Sequence, residues 1–380
     1  MNETAMVRLH KKQERVNTIF LSALLDSPGD WWNLTHWLAG ANIMSAVYGL
    51  EDTKFRNDPW IQLGEDTLQT AIEVFDAGFH PVDFLPFLKY IPSWFPGASF
   101  KRKAREAYRL QIRARENPFA WVKERLAEGT AVPCITSALL GAEVDGAPIP
   151  EEIIKNSAGM AYIAGADTTL STIKSFFLAM VRNSDIQRKA QEEIDRVLPL
   201  ERLPTLADRD TSKLPYLEAV LRETYRNYPP VPIGLPHKSA EEDEYLGMRI
   251  PAGALLIPNI WAMTQNEQAY PEPREYRPER FLRDGRINAD VVNPRNAVFG
   301  FGRRICPGRY FADDEIWLVM ATMLYCFDIL PALDEQGHEI IPNEAMTEGA
   351  VIAPIEFQCR IVPRSAEKQG LILHAHEQIS

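Results

Sequence analysis

The chain has 380 residues, 46% of them hydrophobic, enough to bury a sizeable core and too apolar for a disordered or collagen-like chain. A formal charge of −11 argues against nucleic-acid binding, which needs a basic footprint, and leaves an apolar small molecule as the more compatible partner. The cysteines Cys134, Cys306, Cys326 and Cys359 are too widely spaced for a paired zinc or redox site or a disulfide framework, which favours a reducing, intracellular setting.

Met1 to Val16 is polar and lacks the apolar run of a signal peptide or membrane anchor. Apolar residues then recur at helical spacing through Trp31–Tyr48, Ile61–Phe75, Lys101–Arg115, Pro118–Leu126 and Ser137–Leu140, which predicts a helical first third. Between them, Asp83–Gly97 carries Pro86, Pro92 and Pro96 among Phe84, Phe87, Ile91, Trp94 and Phe95. It reads as an apolar loop, either packed on the core or dipping into a membrane surface. A proline-free stretch from Glu151 past Arg182 predicts a helix of roughly 30 residues, ~45 Å at 1.5 Å per residue, long enough to cross a domain.

Helices are also expected at Ile186–Val197 and Leu214–Asn227. Pro229, Pro230, Pro232 and Pro236 then forbid helix, and short strands such as Ala254–Asn259 follow in a largely irregular region that reaches Pro294. A last long helix is expected from about Pro307 to Tyr325, then a strand at Ile355–Val362 and a charged tail over residues 365–380. No internal repeat interrupts this order, and residues 1–380 read as one mainly α domain with small β-sheets.

Chemistry concentrates at Phe299-Gly-Phe-Gly-Arg-Arg-Ile-Cys-Pro-Gly308, where Cys306 lies just before a helix. Backbone N–H groups and the positive helix end favour a thiolate there. Gly302 and Gly308 let backbone lie against a flat ligand, Phe299 can cover the sulfur, and Arg304 can reach an anionic group on that ligand. The pattern Phe-x-x-Gly-x-Arg-x-Cys-x-Gly resembles the haem-binding signature of the cytochromes P450. The resemblance implies haem b with Cys306 as the axial iron ligand.

Other segments fit the same family in its order. Ala164-Gly-Ala-Asp-Thr-Thr169, within the long helix, resembles the oxygen-activating motif. The resemblance makes Thr168 a hydrogen-bonding partner of oxygen and Asp167 a proton relay, with Gly165 leaving room for dioxygen. A buried threonine that bonds back to its own helix explains the same residues without chemistry. Glu223-Thr-Tyr-Arg226 followed by Pro278-Glu-Arg-Phe281 resembles the family's buried triad, which makes Glu223, Arg226 and Arg280 structural supports for the Cys306 loop. His237, in Leu-Pro-His, falls where the family places a partner for a haem propionate, next to Arg304. The other histidines, His10, His36, His80, His338, His374 and His376, show no metal-ligand spacing. Position alone nominates Ala161, Tyr162, Val231, Ile233, Val351 and Ile352 as substrate contacts, although core packing explains each equally well.

The resemblance is closest to fungal secondary-metabolism members. It implies a monooxygenase that inserts one oxygen atom from dioxygen into a hydrophobic metabolite, fed by an NADPH-cytochrome P450 reductase-type donor at the endoplasmic reticulum surface, with peripheral membrane contact. The family's anchor, first strands and propionate-binding helix do not precede Asn2, so the chain is expected to begin inside the fold. An inactive truncated relative and a haem-thiolate isomerase or peroxygenase are the alternatives; Asp167 and Thr168 argue against the second.

Overall fold

A computed structural model describes residues 3–55, 58–75 and 81–379. The described residues fold into two compact units, residues 3–170 with 376–379, and residues 171–375.

The first unit is helical. Helix α1 (Glu3–Asp26) was not legible as an element, because its polar start hides the stripe Leu9, Gln13, Val16, Phe20 and Leu24, spaced three or four residues apart and buried. It packs on α2 (Trp31–Tyr48), which is buried almost all round and so forms the heart of the unit. Helix α3 (Pro59–Phe75) packs against α2. The short α4 (Pro81–Phe84) and a 3-10 turn at Pro86–Tyr90 then lead to α5 (Ser99–Glu128). Two helices were expected in place of α5. The chain instead runs through Pro118, giving up one backbone bond to bury Ala114, Pro118, Phe119 and Val122 along one face.

The loop at 83–97 is not packed on the core. Phe84, Phe87, Tyr90 and Trp94 are all more than half exposed, Trp94 at 78%. Helix α6 (Ile135–Leu140), capped by the Cys134 sulfur on the Ser137 N–H, and the two-residue hairpin β1 (Glu143–Val144) and β2 (Ala147–Pro148) lead into α7 (Glu151–Arg182), the expected long helix.

The second unit begins within α7. Helices α8 (Ser184–Val197) and α9 (Pro215–Asn227) pack on each other and bury strongly one-sided apolar faces. The proline-rich region then holds small antiparallel pairs: β3 (His237–Lys238) joins β6 (Leu255–Leu256), and β4 (Asp243–Tyr245) joins β5 (Met248–Ile250). Helix α10 (Ile260–Thr264), the pair β7 (Leu282–Arg283) and β8 (Arg286–Ile287), and α11 (Arg295–Val298) follow.

Helix α12 (Arg309–Cys326) starts two residues later than expected, with Gly308 as its N-cap and Pro307 in the preceding turn. Strand β9 (Phe327–Leu333), missed in the sequence because it follows a helix with no turn signal, pairs with β10 (Glu339–Ile340) and with β11 (Cys359–Pro363), where Ile329 faces Ile361. The stretch expected as a charged tail is helix α13 (Ala366–Glu377). It is held by a 2.6 Å bond from the Lys368 ammonium to Asp195, by that ammonium lying over the Tyr325 ring, and by the fully buried Ile372.

Candidate active site

The Cys306 loop is organised by its own backbone. The Cys306 N–H donates to the Phe299 carbonyl at 2.7 Å and the Cys306 carbonyl accepts from the Arg309 N–H at 3.4 Å, while the backbone N–H groups of Gly308 and Arg309 act to lower the pKa of the thiol. Gly300 and Gly302 both sit at positive φ, and a side chain at Gly302 would point into open space, so the loop presents a bare backbone surface there. Gly308 lies 3.9 Å from the sulfur, measured from an added Cβ, an ordinary contact. The thiolate expected from the helix end is not what the loop alone produces. Burial raises the Cys306 thiol pKa, and this outweighs the N–H groups and the Arg309 charge.

Phe299 uses its ring away from this backbone bond: it meets the Tyr225 ring edge-on at 5.4 Å. Arg304 and His237 are exposed, and among the described residues neither side chain has a hydrogen-bond or ion-pair partner.

Glu223, Arg226 and Arg280 do come together. The buried Glu223 carboxylate accepts from Arg226 Nε at 2.8 Å, from Arg280 Nε at 3.1 Å and from the Arg277 backbone N–H at 2.7 Å. Arg226 also donates from a terminal nitrogen to the second Glu223 oxygen at 2.8 Å and to the Asn227 side-chain oxygen, and other guanidinium N–H groups end on carbonyls of Thr264, Pro271, Glu272, Pro273 and Glu275. These bonds pin residues 264–280, and no bond of these three side chains ends on residues 299–308. Four residues beside the loop were missed: Tyr225, whose ring meets Phe299, and Glu218, Arg295 and Asp313, which join the segments flanking it. Their signal was an arginine four residues before Phe299 and an acid seven after Cys306, which means little until α9 and α12 are known to converge.

In the first unit, Thr168 donates to the Ala164 carbonyl at 3.1 Å, the back-bond that an ordinary helical threonine makes. Gly165 does not open a space for a diatomic molecule on its side-chain side. A Cβ there would come within 2.8 Å of Ile43, so the glycine permits α2 and α7 to approach. Tyr162, expected among the substrate contacts, is a packing residue. It is buried, its hydroxyl donates to the Trp60 carbonyl, and its ring lies against Gly64 and edge-on to Tyr48. Asp167 lines a crevice with Tyr162, His36 and Glu65 whose volume of about 20 Å³ suits one water and excludes a substrate.

The other nominated contacts lie in the second unit. The Ile352 N–H donates to the Pro230 carbonyl at 2.9 Å, and the Ser171 hydroxyl donates to the Ile352 carbonyl at 2.5 Å. The segments bearing Val231 and Val351–Ile352 are therefore adjacent, while Ile233 stands exposed. His80 lies outside the described residues. Among those described, no three His, Cys, Asp or Glu side chains gather as a metal site, and no helix is long and apolar enough to cross a membrane.

The sequence profile of the cytochrome P450 family matches residues 51–359, which includes the loop, the triad and the Asp167–Thr168 segment. The chain belongs to the cytochrome P450 family. It is 42% identical over 357 residues to cytochrome P450 monooxygenase ple1 of Rhodocybe pseudopiperita, an alignment covering 93% of this chain and 67% of that protein. It is 41% identical to cytochrome P450 monooxygenase ARMGADRAFT_974139 of Armillaria gallica, over 95% of this chain and 70% of that one. It is also 37% identical to cytochrome P450 monooxygenase claR of Ampulloclitocybe clavipes, over 97% and 68%.

This P450 is a haem-dependent monooxygenase that acts on a small molecule with electrons from a redox partner. The residues present fit its haem iron. They offer one half-buried thiol beside the start of α12, a glycine-lined backbone face next to it, and exposed basic side chains at Arg304 and His237 that have no partner among the described residues. When bound, the haem iron supplies the activation of dioxygen.

Proposed function

We propose that residues 1–380 act as one catalytic domain that holds haem b through Cys306 and inserts one oxygen atom into a hydrophobic small molecule of secondary metabolism. The observation that carries this reading is the loop from Phe299 to Gly308, in which the Phe299 carbonyl holds the Cys306 N–H, Gly300 and Gly302 turn at positive φ, and Gly308 at the start of α12 sets backbone donors beside the sulfur. Those donors moderate the charge of a ligated thiolate. Arg304 and His237 would hold the propionates, Phe299 would cover the sulfur, and Gly302 and Gly308 would admit the flat ring. On the substrate side, Val231, Ile233, Val351 and Ile352 give an apolar lining, and Asp167 and Thr168 manage proton supply, with Asp167 lining a crevice that has room for one water.

The test is the reduced carbon monoxide difference spectrum of the haem-supplemented chain. A red-shifted, thiolate-type band supports the reading, and a band only of the blue-shifted form removes Cys306 from it. Thr168→Ala should then uncouple electron consumption from product; unchanged coupling removes Thr168 from the chemistry.

Electrons would come from an NADPH-dependent reductase at the endoplasmic reticulum surface. The exposed Phe84, Phe87, Tyr90 and Trp94 favour membrane contact over core packing for that loop. The cationic start of α5 beside it, where Lys101 and Arg102 donate to the Ile91 and Ser93 carbonyls, suits lipid headgroups. A flotation assay that leaves the chain unbound to liposomes would refute the contact.

A further inference from the structure

We infer that Arg295 is a positioning residue for the Cys306 sulfur, acting as a clasp across the neck of the loop that carries it. Its Nε donates to Asp313 at 2.6 Å and its terminal nitrogens to Glu218 at 2.6 and 3.3 Å. Arg295 opens α11 just before the loop and Asp313 lies in the second turn of α12 just after it, so one guanidinium joins the two ends. Glu218 on α9 ties both ends to the body of the unit.

The clasp is locked from behind. Arg209 pairs with Asp313 and Asp314, and Arg222 with Glu218 at 2.8 Å, so three carboxylates are balanced by three guanidinium groups. Its effect reaches the sulfur by a short path of contacts. The Arg295 guanidinium lies over the Tyr225 ring at 5.6 Å, Tyr225 meets the Phe299 ring, and the Phe299 carbonyl holds the Cys306 N–H. Asp313 fixes the start of α12, whose N-cap Gly308 lies against the sulfur and whose first residue, Arg309, donates its N–H to the Cys306 carbonyl at 3.4 Å. The Glu223 cluster on the same helix has no comparable path, since its bonds end between residues 264 and 280.

The inference rests on Cys306 being the haem ligand, so one readout is taken without haem. Cys134, Cys326 and Cys359 are buried, which makes the labelling rate of the haem-free chain by an aromatic disulfide a report on Cys306. Arg295→Lys keeps the charge and loses the fork that spans two carboxylates. It should label about tenfold faster, the factor that one lost charge-assisted hydrogen bond corresponds to. Asp313→Asn, which opens the clasp from the α12 side, should do the same. With haem, both should pass from the thiolate-type to the blue-shifted carbon monoxide complex faster than the parent. Arg280→Lys, in the other cluster, should lower the melting temperature without speeding labelling. Labelling at the parent rate in Arg295→Lys and Asp313→Asn, or equally fast labelling in Arg280→Lys, overturns the proposal. A parent chain with no thiolate-type band instead overturns the ligand reading, and the labelling rates then decide the clasp by themselves.

Discussion

Helix α9 and the pair β3–β6 belong to the same unit and treat charge and apolar surface in opposite ways. On α9, Glu218, Glu223 and Arg226 are buried and each meets a partner of opposite charge, with spare guanidinium N–H groups ending on backbone carbonyls. Around β3 and β6, His237 and Lys238 are exposed, and so are Leu235, Leu255, Leu256 and Ile257, with Leu235 at 72%. Charges are buried where the chain itself can neutralise them, because an unpaired buried ion costs several kcal/mol. Apolar and basic side chains left side by side at the surface suit a large flat ligand with an apolar body and acidic groups.

The comparison can be broken at several points. Cys306→Ser should abolish the thiolate-type carbon monoxide band entirely while leaving the melting temperature of the haem-free chain near that of the parent; a variant with the parent spectrum would refute the ligand assignment. Glu223→Gln leaves two buried guanidinium groups without their counter-charge and should cost about 3–5 kcal/mol in urea unfolding. A loss near zero would mean that the cluster is wetter than its burial implies.

Acid should act on the second cluster of α9. Burial raises the pKa values of Glu218 and Asp313, but the charge and hydrogen bonds of Arg295, joined by Arg222 at Glu218 and by Arg209 at Asp313, together outweigh it and hold both below the usual carboxylate range. A depressed carboxylate contributes stability above its unfolded value of about 4. That contribution is lost as the pH falls through the lower folded value. Melting temperatures should therefore drop steeply below about pH 4, and Asp313→Asn should flatten that limb.

Ser171→Ala removes one hydroxyl bond to the Ile352 carbonyl and should cost about 1 kcal/mol. Arg304→Ala and His237→Ala should be the mildest for the haem-free chain, with an unchanged melting temperature and weaker haem retention in a transfer assay to a haem acceptor. A large loss of stability in either would mean that the open region is more self-sufficient than its exposure indicates.

Sequence reading did best where one local rule was strong. Helix α2 matched its expected bounds because its apolar residues leave no competing pattern, and α7 because no proline interrupts it. It did worst where neighbours overruled local preference: α5 continues through Pro118 because burial along one face offsets a lost backbone bond, and residues 366–377 become a helix because Asp195 and Tyr325 receive Lys368.

The candidate site divides along the same line. The sequence by itself determined the Cys306 loop, since its glycines, its cysteine and the following helix lie within a few residues and act through backbone geometry. It also determined the membership of Glu223, Arg226 and Arg280 through their resemblance to a known order. Only the tertiary structure decided that Gly165 serves helix packing against Ile43, that Tyr162 is a core residue, and that Arg295 joins Asp313 and Glu218 across the two ends of the loop. The reason is physical. Whether a polar or small residue does chemistry or packing depends on what converges on it from distant segments, and one chain's linear order carries no record of that convergence.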